Sequence, residues 1–267
     1  MTAKMKHLAI VSDNYAIEGR FYEALFGLKT FAKAGADSAV AVSDGYVGMN
    51  VNPRKAGRQA GFDHFGFEVD DVEQVFDKAR ARWPRVQWLK RPSNRPFAGI
   101  SMHDPAGNVF DLSQRGMANR TNVYVADIER TPRHVSHFQL RTVDPGTLAQ
   151  FYTDLFELEE VEQTPDNHFH LSDGTVTFVI APWHITDFEG SGIERPALDH
   201  IGFEVESLDQ FEKDLESLVT KNHHLTPSPV GAGPEGQARL TLFEGCRYGH
   251  KHLADPDGVL IDVSERE

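Results

Sequence analysis

The sequence predicts an α+β protein made of four strand–helix–strand–strand–strand modules, two in each half of the chain. Three observations carry this expectation. Four sequence blocks occur twice in the same order. Within each half, a shorter strand-then-helix pattern also occurs twice. In each such pattern, apolar residues alternate with a period of two and then take helical spacing.

The large repeat is read directly from the residues. HLAIVS (7–12) and FYEALFGL (21–28) recur as HFQLRT (137–142) and FYTDLFEL (151–158). DHFGFEV (63–69) recurs as DHIGFEV (199–205), and DPAGNVFD (104–111) as DPDGVLID (255–262). The offset is 130 from His7 to His137, 136 from His64 to His200 and 151 from Asp111 to Asp262. The second copy is therefore longer, mostly after its second histidine. Such self-similarity is the signature of a duplicated architecture.

The elements follow in order. Residues 7–12 and 64–69 alternate as half-buried strands. Residues 14–27 place Ile17, Phe21, Leu25 and Phe26 on one helical face, and residues 71–82 do the same with Val72, Val75, Phe76 and Ala79. Short strands separated by Gly, Asp and Asn turns are expected at 39–42, 45–51, 107–112 and, in the second half, 176–181. The expected division is a first domain at 1–118, a connection at 119–133 and a second domain at 134–267. The insert at 218–245 contains PSPVGAGPEG (227–236), too rich in Gly and Pro for regular helix, and reads as a lid over a binding site.

Composition narrows the function classes. A net charge of −13 leaves no broad basic face for nucleic acid or an anionic membrane. No apolar run is long enough to cross a bilayer, and the N-terminus does not read as a signal peptide, so a cytoplasmic location is expected. The single cysteine, Cys246, excludes an intrachain disulfide and a thiolate-rich metal site. Of the thirteen histidines, ten lie between His134 and His252, which directs the search for chemistry to the second half.

The block order, with its FYxxLFxL and DPxG…D elements, resembles the vicinal oxygen chelate superfamily. That group includes glyoxalase I, extradiol ring-cleaving dioxygenases and the fosfomycin- and bleomycin-resistance proteins. The resemblance covers nearly the whole chain, in the two-domain arrangement of the extradiol enzymes. It implies that paired modules curl into open mixed sheets, each forming a cup, with a divalent metal inside the second. His137, His200 and Asp262 then supply two imidazoles and one carboxylate, the ligand set of non-haem iron oxygenases, which leaves positions open for a chelating substrate. Fe(II) is the first expectation and Mn(II) the second, with a small aromatic or vicinally oxygenated substrate and O2 as partners. Association into a homo-oligomer is compatible with the same resemblance.

Two departures keep the reaction open. Glyoxalase-like sites add an acid or amide from a neighbouring strand, where only Asn50 could serve. Extradiol enzymes carry a tyrosine ten residues before the carboxylate ligand, where this chain has His252. His252, His250 and Tyr248 are the candidate catalytic groups. His168, His170, Trp183 and Arg247 are candidate substrate contacts, with His184 and Arg239 further candidates at the mouth of the site. The matched first-half trio His7, His64 and Asp111 is a candidate second metal site. The alternatives to an oxygenase are a metal-assisted isomerase, epimerase or lyase, and a non-catalytic binding or resistance protein.

Overall fold

A computed structural model describes residues 3–32, 39–91, 97–116, 129–246 and 248–266. Most of the expected connection at 119–133, and Arg247, lie outside the described residues.

The first half contains β1 (Lys4–Ser12), α1 (Tyr15–Phe26), β2 (Lys29–Ala32), β3 (Val40–Ser43), β4 (Gly48–Pro53), β5 (Gly61–Val69), α2 (Val72–Arg82), β6 (Trp88–Lys90), β7 (Ile100–His103) and β8 (Val109–Gln114). The second contains β9 (His134–Thr142), α3 (Pro145–Phe156), β10 (Glu159–Gln163), β11 (Phe169–Ser172), β12 (Thr177–Pro182) and α4 (Ile185–Ser191). It continues with β13 (Leu198–Val205), α5 (Leu208–Lys221), a 3-10 turn at His223–Leu225, α6 (Gly233–Glu244), β14 (Lys251–Ala254) and β15 (Leu260–Glu265). The strands form two open mixed sheets, ordered β2-β3-β4-β1-β5-β8-β7-β6 and β10-β11-β12-β9-β13-β15-β14.

Three of the four expected modules have four described strands. The fourth has three, because α6 stands between its helix and β14 where β6 stands in the second module. The insert was expected to lack regular helix, yet its C-terminal part is α6. Pro234 lies in the first turn, where a missing N–H costs no intrahelical bond, so a helix can start inside the Gly/Pro-rich stretch. A second unexpected helix, α4, occupies the connection to β13.

Local chemistry sets the helix ends. Asp71 caps α2 and Asp144 caps α3 through backbone N–H groups, while Gly27 ends α1 in the left-handed region at φ 70°. One face of each sheet joins a single apolar core that both halves share. Phe65 packs 5.1 Å, ring to ring, from both Phe138 and Phe178. The contacts are reciprocal, as a duplicated chain requires. Phe26 stacks on Phe203 and Phe156 on Phe67. Tyr22 donates to Asp255 at 2.9 Å, and Tyr152 donates to Asp104 at 2.9 Å. The Met5 amide donates to Asp173, and the Val135 amide to Asp44.

Glu18 breaks this symmetry. It is buried on α1 beside Asp255, at the position the repeat gives to Leu148, and neither carboxyl oxygen has a well-directed hydrogen bond. Burial, then Asp255 and Asp257, push its pKa up from 4.5 to about 10. Between those values the folded state holds a proton that the unfolded chain has released, so stability falls as pH rises through that window. Glu18→Gln should therefore gain stability over the parent as pH rises from 5 to 9, reaching at least about 2 °C in Tm at the alkaline end. Parallel Tm–pH curves for the two proteins would refute this assignment.

Candidate metal centre

The second sheet brings three strands together at one row. Gly202 on β13 pairs with His137 on β9 on one side and with Asp262 on β15 on the other. His200 lies two residues back along β13 and therefore on the same face as Gly202. Glycine at 202 is a steric requirement: a Cβ there would lie 1.9 Å from the His137 ring. Gly249 plays the matching part for the carboxylate, since its Cβ would lie 1.3 Å from Asp262 Oδ1.

The result is a buried cluster. The Nε2 atoms of His137 and His200 face each other at 3.3 Å. Asp262 Oδ2 lies 3.4 Å from His137 Nε2 and 3.9 Å from His200 Nε2. These residues are at most 1% exposed, yet neither Asp262 oxygen has a well-directed hydrogen bond. A buried carboxylate without such a bond is costly unless something else satisfies it. Two imidazole nitrogens and a carboxylate converging on one point fit a divalent cation in that role.

The electrostatics agree with a ligand set ready for metal. Burial pushes the His137 imidazole below its usual value. Burial alone would raise the Asp262 carboxyl, but His137, His252 and His200 hold it well below the usual carboxylate range. Neutral imidazole and ionised carboxylate are the forms that bind metal. Behind His200, its Nδ1 lies 2.9 Å from Asp199 Oδ2, and Asp199 is held in turn by Gln139 and Arg141. Such backing fixes the tautomer and direction of a ligating imidazole.

The other candidates separate by position. His252 pairs in register with Asp262 across β14 and β15, with Nδ1 3.0 Å from Asp262 Oδ1. Tyr248 packs 5.0 Å, ring to ring, from His137 and lies 3.1 Å, Oη to Nδ1, from buried His170. His168 lines a cavity of about 40 Å³ together with His170 and Cys246. His250 is exposed at the bend before β14. β14 begins only at Lys251, and the His250 amide donates to the Val263 carbonyl just ahead of it. Trp183 donates to the Ile193 carbonyl, and exposed His184 caps α4. Arg239 donates to the carbonyls of Ser191 and Gly192, tying α6 to α4. Trp183 and Arg239 thus have structural partners. The first-half residues His7, His64 and Asp111 also converge.

Sequence reasoning missed two residues at the centre. Cys246 Sγ lies 3.6 Å from His137 Nε2, and burial, then Asp262, push its pKa up. Phe243 packs against both His200 and His252. Neither has a counterpart in the repeat, because Phe243 belongs to the insert and Cys246 follows it directly. Asp199, by contrast, was visible in advance as the Asp-His pair repeated from Asp63-His64.

The model of the Glyoxalase/Bleomycin resistance protein/Dioxygenase superfamily matches residues 4–112 and 134–263. The chain belongs to this superfamily. Within the superfamily, a manganese-dependent 2,3-dihydroxybiphenyl 1,2-dioxygenase from Geobacillus genomosp. 3 is 21% identical over 290 aligned residues, covering 99% of this chain and 91% of that protein. A Mn(II)-bound glyoxalase from Novosphingobium aromaticivorans superposes with a TM-score of 0.67 at 15% identity, over 99% of this chain and 82% of that one. Homoprotocatechuate 2,3-dioxygenase from Arthrobacter globiformis gives 0.66 at 14% identity, over 99% and 80%. These two structures establish the common fold: two open mixed sheets with helices, in the two-half arrangement of the superfamily.

Proposed function

We propose that the protein is a metal-dependent dioxygenase of the extradiol type, acting on a small aromatic or vicinally oxygenated substrate at His137, His200 and Asp262. The observation that carries this reading is the Asp262 carboxylate, fully buried without a well-directed hydrogen bond, at the convergence of two imidazole Nε2 atoms. The manganese-dependent relative and the two-half fold support it. Fe(II) or Mn(II) bound there would supply the means to chelate two adjacent oxygens, lower the pKa of a substrate hydroxyl and recruit O2.

The surrounding residues have separable work. His252 holds the Asp262 carboxylate in place, a positioning role that its 3.0 Å contact favours over proton transfer. The Tyr248–His170 pair lies beside His137 and is the candidate proton carrier. Burial pushes His170 below its usual value, leaving it neutral and able to accept a proton from substrate through Tyr248. Phe243 shields the centre from water. The adjoining cavity of about 40 Å³ is far smaller than the about 300 Å³ at the lower end of ligand sites. Substrate therefore enters as α6 moves aside, which gives the insert its lid role. Cys246 favours one alternative: a thiol that remains a fourth protein ligand leaves less room for substrate and O2, which suits a lyase or isomerase.

The test is oxygen uptake by anaerobically purified protein loaded with Fe(II) or Mn(II), with catechol, 2,3-dihydroxybiphenyl and homoprotocatechuate. One O2 consumed per ring-opened product is expected, and Cys246→Ala should keep both its metal and uptake within about tenfold of the parent. No uptake with any diol would sink the dioxygenase reading. Loss of metal from Cys246→Ala would move the assignment to the four-ligand alternative.

A further inference from the structure

We propose that the first half carries a second metal centre on His7, His64 and Asp111, completed by the amide oxygen of Asn50 and suited to a hard divalent cation such as Mn(II). The geometry repeats that of the second sheet. Gly66 on β5 pairs with His7 on β1 and with Asp111 on β8, and His64 lies two residues back along β5. The Nε2 atoms of His7 and His64 lie 3.2 Å apart, and His64 Nε2 lies 3.3 Å from Asp111 Oδ2. One ligand atom from each of the three falls within 4.8 Å of the others.

The supporting groups are also in place. Asp63 Oδ2 lies 2.6 Å from His64 Nδ1, and Arg58 donates to both Asp63 oxygens at 2.7 Å. Ser101 donates to Asp111 Oδ1 at 2.5 Å, leaving Oδ2 directed at the imidazoles. This charged relay behind His64 is the arrangement that orients a ligating histidine. It is unneeded for a residue retained only for packing.

Asn50 supplies the independent observation. On β4 it pairs with Ala9, two residues along β1 from His7, so its side chain shares the His7 face of the sheet. Its Oδ1 is buried without a hydrogen-bond partner. In the second sheet the corresponding pair is Gln139 and Val179; there the amide sits on the His137 strand, its nitrogen donates to Asp199, and its oxygen is likewise buried without a partner. The first half has thus gained an amide oxygen on the strand that carries an apolar residue in the second.

Two differences give the centres different character. The first offers nitrogen and oxygen donors only, whereas Cys246 adds sulfur beside the second. Carboxylate and amide oxygens with imidazole suit Mn(II), and a thiol shifts preference towards softer ions. The His64 side chain is 20% exposed and that of Asp111 11%, against 0% for His200 and Asp262. Among the described residues, the first centre is therefore the more open of the two to an ion from solvent.

Calorimetric titration of chelator-treated full-length protein with MnCl2, checked by Mn(II) paramagnetic resonance, tests this directly. The parent should bind two equivalents, with His64→Ala and His200→Ala each binding one. Asn50→Ala should keep two, with the first-half Kd raised by about tenfold or more. One equivalent in the parent, abolished by His200→Ala, would overturn the first-half centre while leaving the second intact. No binding at all would overturn both. Two equivalents in His64→Ala would also overturn it. If circular dichroism shows that His64→Ala fails to fold, Asn50→Ala decides: two unchanged isotherms refute the proposal.

Discussion

Replacing His200 by alanine is expected to empty the second-half centre and abolish oxygen uptake while the fold survives. His200 faces His137 at 3.3 Å and is fully buried, so alanine removes one of three converging candidate ligands, and His252, which already contacts the other Asp262 oxygen, is not at its position. Altering an outer partner of a metal ligand typically costs about 10–100-fold in affinity or activity, and loss of the ligand itself should exceed that. Uptake should fall by at least about a thousandfold, and the Asp262 carboxylate should be left as an uncompensated buried charge. The Tm should therefore fall at neutral pH as well, because Asp262 is held below the usual carboxylate range chiefly by imidazoles that oppose its burial. Full metal occupancy of the second half in His200→Ala, read by titration against the parent, would show that the ligand set is wrong.

An alanine at position 249 is expected to do nearly the same damage without touching a ligand. Its Cβ would lie 1.3 Å from Asp262 Oδ1 and 1.8 Å from Cγ, distances no real contact allows. Asp262 is fully buried on β15 between β13 and β14, with imidazoles against its oxygens, so a turn of its side chain breaks those contacts. Either the carboxylate leaves the imidazoles or the segment before β14 is displaced, and both outcomes dismantle the centre. Loss of the second-half metal with the first-half equivalent retained is the result expected from titration. Gly190→Ala is the control: nothing lies within 4 Å of its Cβ and it sits inside α4, where alanine is the better helix former. Metal binding by Gly249→Ala equal to that of Gly190→Ala would show that Asp262 is not held by this close approach.

How much of this was legible in advance differs between fold and site. The helices at 14–27 and 71–82 appear as α1 and α2 within a residue or two, because capping residues and an apolar face are local signals. The strands around His7, His64, His137 and His200 were readable through alternation and repetition together. The fourth module was not, because the repeat has no counterpart for α6 and Pro234 argued against helix. A proline in the first turn stops nothing, and only the chain's actual entry into α6 shows that it lies there. Glu18 was equally opaque: on the helical face it looks like a solvated acid, and its burial follows from Asp255 packing across from the other half.

Sequence alone determined the duplication, the superfamily resemblance and the two histidine–aspartate trios, because each is encoded in residue identity at matched spacing. Tertiary structure decided what surrounds them. Phe243 in the insert, and Cys246 and Tyr248 just after it, reach the second centre because the chain leaving the insert packs back against the sheet, a long-range event with no local pattern. His250 and His252 differ by two residues, yet only His252 pairs with Asp262, because the register of β14 on β15 sets it there. Asn50 was visible in the sequence as an amide on the right strand, and only the structure shows that its oxygen is buried without a partner. Residue identity thus names the donors. Strand register, glycine at the close approaches and the path of the insert decide which of them meet.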